Sequence, residues 1–476
     1  MEDRRYIAID LKSFYASVEC VERGLDPLDA LLTVADVSRT DATICLAVSP
    51  ALKACGTGAR PRLFQLRRHV AEANAVRLHG RTPRFLTTSA AVLRDNPDAG
   101  IDFIAATPRM ALYQEYSHRI NDIYRRFVAP EDMHVYSVDE VFIDVTPYLR
   151  AYRVSAHELA MKMIRTVLAE TGITATAGVG TNLYLCKVAM DIVAKRMKPD
   201  RDGVRIAELD EKSYRRLLWE HRPLTDFWRV GPGVARRLAH YGIFTMGDIA
   251  LCSVRGGEGL LYGLFGVNAE LLIDHAWGVE PVTMAQIKAY RPEVRSLSVG
   301  QVLPRAYDNA EARVVVREMA ETLALDLLHR RHVTAQVHFW ASYDGSHSHT
   351  HGGARLPERS ASVRVITAAI LDIYDRVVDP RYPLKRLGLM AGGIVPDDTA
   401  RRDTSAPVQL SLFDDNEAIM AAREARRLAL ERERSLLLAV LAIKERYGRN
   451  SILRGTNFCE GSTQRERNEQ IGGHRK

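Results

Sequence analysis

Long apolar runs are missing from this chain. The N-terminal MEDRRYIAIDLKS has no continuous apolar core of signal-peptide length, and the run from Leu436 to Ile443 is too short to cross a bilayer. Neither a leader nor a membrane partner is expected. Cysteine is scarce and unpatterned: Cys20, Cys45, Cys55, Cys186, Cys252 and Cys459 form no CxxC pair and no regular framework. Reduced, mostly buried thiols are therefore expected, as in a cytoplasmic protein. No internal repeat is visible, and no excess of charge marks a disordered chain. Of the 476 residues, 26% are charged and 46% hydrophobic, ordinary values for globular domains, with room for about three of them.

What is present begins with a mild positive bias, a net charge of +7. Arg60, Arg62, Arg67 and Arg68 cluster early, Lys195, Arg196, Lys198 and Arg201 in mid-chain, and Arg381, Lys385 and Arg386 late. A solvated face explains any one cluster; several along the chain suit a surface that tracks a phosphate backbone.

Two acidic motifs carry more information. The strand-like YIAIDLKSFYASVE holds Asp10, and HVYSVDEVFIDV holds Asp139 and Glu140, each among alternating apolar residues. A lone acid at a strand end is usually a turn or a cap. Acids inside apolar runs need a partner, because burying an unpaired carboxylate is expensive. Three converging acids repel one another unless divalent cations lie between them, which points to a two-metal site for phosphoryl chemistry.

Period and punctuation give a coarse architecture. A strand, then a helix with Phe14, Val18 and Val21 on its apolar face, leads to ICLAVSPALKACG, where Ser49 caps a short helix begun by Pro50. Residues 76–110 read as strand and loop, and Met110 to Phe127 as a helix. The acidic strand follows, then a helix from about Ala156 to Ala169, a strand TATAGVGT, and a helix NLYLCKVAMDIVAKRM stopped by Pro199. FWRVGPGVARRLAHYGIFTMGDIA resembles a helix-hairpin-helix, in which Gly231 and Gly233 let backbone N–H groups approach DNA phosphates. A further α+β unit spans about 290 to 396, with a helix from Asn309 to His329; its SHSHTHGG stretch, with His347, His349 and His351, reads as a loop. From Pro396 the composition is that of a linker, before a long Arg-rich helix from Asn416 to Tyr447 whose apolar side suits either packing on the core or binding a partner. The class is α+β.

Taken together, DLKSFYASVE, SVDEVFID, GVGTNLYLCKVAMDIVAKRM, VGPGVARRL and ERYGRNSILRGTNF resemble, in order, the motifs of Y-family DNA polymerases of the UmuC-like branch. The resemblance covers nearly the whole chain. It implies a multidomain right-hand polymerase: palm at 1–11 and 100–188, fingers at 12–99, a helical thumb at 189–289, a little finger at 290–396 and a C-terminal tail at 397–476. It further implies an error-prone translesion enzyme joining dNTPs to a primer 3′-hydroxyl with two Mg²⁺ ions. Asp10, Asp139, Glu140 and the Leu11 carbonyl would be the metal ligands, with Glu140 the essential acid. By similarity Phe14, Tyr15, Ser49 and Lys53 face the nucleotide, with Tyr15 as the steric gate against a 2′-hydroxyl. The match departs from the family at Pro50, where relatives carry Tyr, and at Leu183, where they carry a phosphate-contacting Lys; Lys187 or Lys12 are the candidates to replace it.

Gln409-Leu410-Ser411-Leu412-Phe413 resembles the peptide by which bacterial polymerases dock on the sliding clamp, Leu412 and Phe413 being its anchors. Other implied partners are primer-template DNA, dNTPs and accessory mutagenesis proteins. Two rival readings stand beside this one. A catalytically silent DNA-binding scaffold is disfavoured by the intact acidic trio, and another two-metal enzyme, a nuclease or nucleotide cyclase, by Tyr15 in its motif.

Overall fold

Alternation along YIAIDL decides the layers of the first unit. Ile7, Ile9 and Leu11 face one way and join Tyr113, Ile120, Leu159, Met163 and Val167 in one core. Tyr6 and Ala8 face the other way, against Phe142, Leu183, Cys186 and Met190. The strand Tyr6–Leu11 is therefore central, with neither face left to solvent. The computed structural model describes residues 4–345, 348–398 and 416–475, and it divides into two compact units at Tyr290/Arg291.

In the first unit five strands run in the order Arg205–Leu209, Ala175–Gly180, Tyr6–Leu11, Glu140–Asp144, Met133–Val135. All neighbours are antiparallel except the first pair. Helices Met110–Tyr124 and Ala156–Thr171 cover one face, close to the bounds expected from their periods. Gly172 ends the second of these in the left-handed region, at φ +70. The helix Leu183–Val188 covers the other face and approaches it very closely. A Cβ on Gly178 would lie 2.0 Å from the Cys186 carbonyl oxygen, and one on Gly180 2.3 Å from the Cys186 nitrogen. Only glycine permits helix backbone to rest on strand backbone here. Two smaller cores, one around Leu52, Leu66 and Ile101 and one helical around Phe227, Leu238 and Leu261, complete the unit. Residues 76–110, expected as strand and loop, also contain a helix, Ala90–Asp95, capped by Ser89.

The second unit is built on an antiparallel sheet ordered Ser296–Tyr307, Leu384–Gly392, His332–Tyr343, His349–Ser360, with Val395–Pro396 added beside His332 and Val333. Helices Asn309–His329 and Val363–Val377 pack on one face through Val315, Met319, Ile366 and Ile370, against Val337, Phe339, Leu387 and Leu389. Among the described residues the opposite face carries no helix of this unit. The histidine stretch expected as a loop is partly strand: His349 and His351 begin His349–Ser360, while His347 lies outside the described residues.

The long helix Asn416–Tyr447 belongs to this unit, with Leu437 buried in its core and Glu433 accepting from Ser362 Oγ (2.6 Å) and the Arg364 nitrogen (3.0 Å). The residues after it are folded too, and polar contacts hold them. Glu318, 2% exposed, accepts from Asn457 Nδ2 (2.9 Å), Ser462 Oγ (2.6 Å) and the Thr463 nitrogen (3.0 Å). Hydrogen bonds to a buried charge contribute about 1.5–3 kcal/mol each, enough to dock a segment with little apolar surface. Among the described residues no helix is long and apolar enough to cross a membrane.

Candidate active site

Register brings the acids together. Asp10 lies opposite Glu140 in the antiparallel pair, and the Leu11 nitrogen donates to the Asp139 carbonyl at 2.9 Å. Asp10 shares the side-chain face of Tyr6 and Ala8, and Glu140 that of Phe142, so both project on the side where the Leu183–Val188 helix lies. Asp139 is fixed by a 2.6 Å hydrogen bond from Ser137 Oγ. Leu11 ends the strand with its side chain buried. Asp144, two turns of the pleat further along, accepts from the Thr146 nitrogen at 3.0 Å and is part of the framework.

The trio is not alone. Lys187 Nζ lies 2.6 Å from Glu140 and 2.9 Å from Asp191, and Lys195 Nζ lies 2.8 Å from Asp191 and 3.7 Å from Asp10. Glu140, Lys187, Asp191, Lys195 and Asp10 thus form a ladder of alternating charge. Its helical half is possible because the glycine strand lets Leu183–Val188 come down onto the sheet. The helix then widens into a π-type turn over Ala189–Val193 that carries Asp191. The expectation that only cations from solution could relieve the acids is corrected here: two lysines already stand among them. Among the described residues no three acidic, histidine or cysteine side chains converge closely enough to hold a metal unaided.

The electrostatics nonetheless suit a hard cation. Burial pushes the Asp10 carboxyl up to about 6; Lys195 pulls it back, and Asp139 and Glu140 add to the rise. Burial likewise raises Glu140 against the opposing pull of Lys187. Burial outweighs the two ammoniums at these carboxyls, so a bound cation would further favour their charged form, and their oxygens are the donors Mg²⁺ prefers.

Nucleotide-facing candidates fall into two groups. Phe14 is buried, and Tyr15, beside it at the start of the helix Phe14–Val21, is half-buried. Tyr15 stacks on Tyr113 with ring centroids 4.4 Å apart and 17° between planes. The Tyr113 hydroxyl donates to Glu19 (2.7 Å), and Glu19 is fully buried and gripped by Arg109 at 3.0 and 2.8 Å. Burial raises the Tyr15 phenol and the nearby Asp139 charge adds to it, which puts the ring within electrostatic reach of the acids. Lys53 donates to Ser13 Oγ at 2.9 Å; burial lowers its pKa, Asp10 opposes the change, and Lys195 reinforces it. Burial, with Arg205 and Lys53 nearby, brings the Lys12 pKa down to about 8.

Ser49 is different. It is wholly buried, its hydroxyl donating to the Ala30 carbonyl (2.7 Å) and accepting from the Leu32 nitrogen (3.0 Å) and, as helix cap, the Leu52 nitrogen. That geometry commits the hydroxyl to backbone groups and places Ser49 in the scaffold of the turn. Leu183 is buried against Tyr6 and Ala8, which explains why a lysine is missing there. Of the two suggested replacements Lys187 sits on Glu140 and Asp191, and the ammonium nearest Asp10 is Lys195, which the sequence had marked only as part of a basic cluster. The i, i+4 spacing of Lys187, Asp191 and Lys195 was the available signal. Gly231 caps the helix Pro232–Ala239; it and Gly233 are exposed, and a Cβ on either would meet nothing within 4 Å. The protein itself does not demand these glycines. Gln409, Leu410, Leu412 and Phe413 lie outside the described residues.

Residues 9–191 match the impB/mucB/samB family, and residues 294–411 match that family's C-terminal domain. The chain belongs to the impB/mucB/samB family, that of the Y-family DNA polymerases. It is 27% identical to the UvrX protein of Bacillus subtilis (strain 168), whose name assigns it to UV-damage repair, over 99% of this chain and 98% of UvrX. It is 26% identical to DNA polymerase IV 2 of Halalkalibacterium halodurans, over the full length of both. The fold matches a solved Y-family DNA polymerase chimera of Dbh and Dpo4 with a TM-score of 0.57 at 18% identity, covering 82% of this chain and 99% of the other. The α+β Y-family polymerase fold is thereby shown.

Proposed function

We propose that the chain is a template-directed, translesion DNA polymerase, transferring a nucleotidyl group from a dNTP to a primer 3′-hydroxyl. The observation that supports it most is the register pairing of Asp10 with Glu140, next to Asp139, whose charge reaches the Tyr15 ring. In this reading the 3′-hydroxyl gives its proton to solvent, its oxygen bonds to the α-phosphorus, the bond from that phosphorus to the bridging oxygen breaks, and pyrophosphate leaves with the electron pair. Asp10, Asp139, Glu140 and the Leu11 carbonyl would hold Mg²⁺, which when bound supplies a lowered hydroxyl pKa and neutralises charge on the departing pyrophosphate. The protein's own part is positional. Lys53, Lys12 and Lys195 offer positive charge to a triphosphate, and Tyr15, braced by Tyr113 and Glu19, meets the sugar.

In this reading the palm takes 1–11 and 100–188, the fingers 12–99, the thumb 189–289 and the little finger 290–396, with the exposed Gly231 and Gly233 as a phosphate contact on duplex DNA. The UmuC-like placement rests on the five motifs from DLKSFYASVE to ERYGRNSILRGTNF taken together, and clamp docking on Gln409, Leu410, Leu412 and Phe413. Names of relatives support damage bypass as the setting. Primer extension on intact and abasic templates with Mg²⁺ is the test. Extension that disappears in Glu140→Ala and Asp10→Ala is expected; primer degradation would make the chain a nuclease, and tight DNA binding without extension a scaffold. Tyr15→Ala should admit ribonucleotides, and unchanged sugar discrimination would remove Tyr15 from the gate.

A further inference from the structure

The turn that carries two of the acids stands at the rim of its sheet. Met133–Val135 is the last strand in the order, and the Tyr136 and Ser137 nitrogens both donate to the Glu140 carbonyl, at 2.9 and 3.1 Å, so the turn closes on itself. One side is tied down by the Leu11 nitrogen, which donates to the Asp139 carbonyl. The other side has no further strand of the sheet beyond it. A rim turn held mainly by its own bonds is free to shift unless something covers it.

What covers it comes from far along the chain. Trp228 Nε1 donates to Tyr136 Oη at 3.1 Å, and the indole meets the rings of Tyr136 and Phe142 at 6.1 and 6.0 Å between centroids. Its own segment is anchored without it: Phe227 and Val230 are 2% and 4% exposed in the helical core, whereas Trp228 is half-buried. Beyond the indole lies the His275 ring, nearly parallel at 19°, and beyond His275 lies Tyr184, 4.0 Å away at 14°. His275 is a firm backstop, almost wholly buried with its Nε2 3.0 Å from Glu280. Tyr184 shares the helix Leu183–Val188 with Lys187, whose Nζ lies 2.6 Å from Glu140 and 5.8 Å from the centre of the Tyr136 ring. The contacts therefore close into a ring of Glu140, Lys187, Tyr184, His275, Trp228 and Tyr136. A lysine on a flexible stem fixes one oxygen in place. Flat rings packed edge to face fix the direction of the backbone that bears them.

We propose that Trp228 is a positioning residue for nucleotidyl transfer, holding the turn 136–140 so that Asp139 and Glu140 stay aligned with Asp10. The inference rests on the polymerase reading and deepens it, and two readouts on the full-length protein keep them apart. Binding of Mn²⁺ alone, followed by electron paramagnetic resonance, reads the acids without turnover and should be lost in Glu140→Ala. Trp228→Ala should weaken it about tenfold, as for a residue that orients metal ligands. In steady-state primer extension Trp228→Ala should lower kcat about tenfold, the cost of a small misplacement, while KM for the dNTP and Kd for primer-template stay within about twofold of the parent. Trp228→Phe keeps a ring between Tyr136 and His275 and should recover most of both losses. Tyr136→Phe deletes the same hydrogen bond as Trp228→Phe, so the double variant should do no worse than either single one. Parental Mn²⁺ binding and kcat in Trp228→Ala would overturn the proposal. So would equal losses in kcat, dNTP affinity and DNA affinity, which mark a fold loosened as a whole, or a Phe variant as impaired as the Ala one. A parent that binds Mn²⁺ and never extends a primer would end the polymerase reading, and the Mn²⁺ comparison would still decide whether Trp228 places the acids.

Discussion

Both sheets of this protein are notched with glycine, but different things fill the notches. In the N-terminal sheet Gly178 and Gly180 receive the backbone of a helix, and the result is a closed interface that carries Lys187 and Asp191 to the acids. In the C-terminal sheet Gly388, Gly353 and Gly392 receive the side chains of Trp340, His338 and Gln336, and the result is an open face of reclining planar groups. The same residue type builds a rigid seat in one unit and a flat exposed surface in the other. What decides is whether the neighbour can move: helix backbone cannot retreat without dragging its elements, whereas a side chain can rotate.

The sharpest way to break that comparison is Gly178→Ala. Its methyl would meet carbonyl oxygen at 2.0 Å, and we expect a loss of about 3 kcal/mol or more, the upper range for overpacking, read as a lowered urea midpoint. A midpoint within error of the parent would mean that the helix is not seated on the strand. Next in size is Lys187→Met. It leaves Glu140, whose side chain is 10% exposed, without its ammonium, and should cost about 2–3 kcal/mol, somewhat under the usual penalty for breaking a buried pair because Lys195 still serves Asp191.

Glu19→Gln probes the brace behind Tyr15. Burial alone would raise the Glu19 carboxyl, but hydrogen bonds from Arg109, Tyr113 and Arg23 outweigh it and hold it below the usual carboxylate range. A depressed folded value stabilises the fold fully above the unfolded carboxylate pKa, and that stability drains away as pH falls through the folded value. The variant should lose about 2 kcal/mol at neutral pH, reduced from the full buried-pair cost because Arg109 is partly exposed. The gap to the parent should close in acid; a gap independent of pH would show that the charge on Glu19 is not what matters. Gly388→Ala completes the set. The indole above it can lift, so the change should cost less than about 1 kcal/mol while raising Trp340 exposure to acrylamide quenching. A large destabilisation there would erase the contrast between the two sheets.

Alternating patterns made the strands and the acids legible. Asp10 and Glu140 sit in apolar runs that are buried on both faces of the sheet, and the helix Asn309–His329 has the bounds its pattern implied. What stayed hidden was held by polar bonds or by position. Ser49 looks like a contact residue in sequence, and only the depth of its turn shows that its hydroxyl is spent on backbone. Lys195 reaches Asp10 through a widened helical turn that no hydropathy pattern encodes. The histidine stretch reads as a loop because glycine replaces the apolar half of the alternation, and glycine is what lets His338 of the neighbouring strand lie flat on it.

Glu318 has a consequence of its own. A carboxylate sealed beneath the last segment of the chain acts as a sensor of that segment's integrity: remove the residues around Asn457 to Thr463 and three donors vanish at once, leaving a buried charge on the helix without them. Trimming the polymer there would thus be felt in the middle of the second unit, although the cut lies at its periphery.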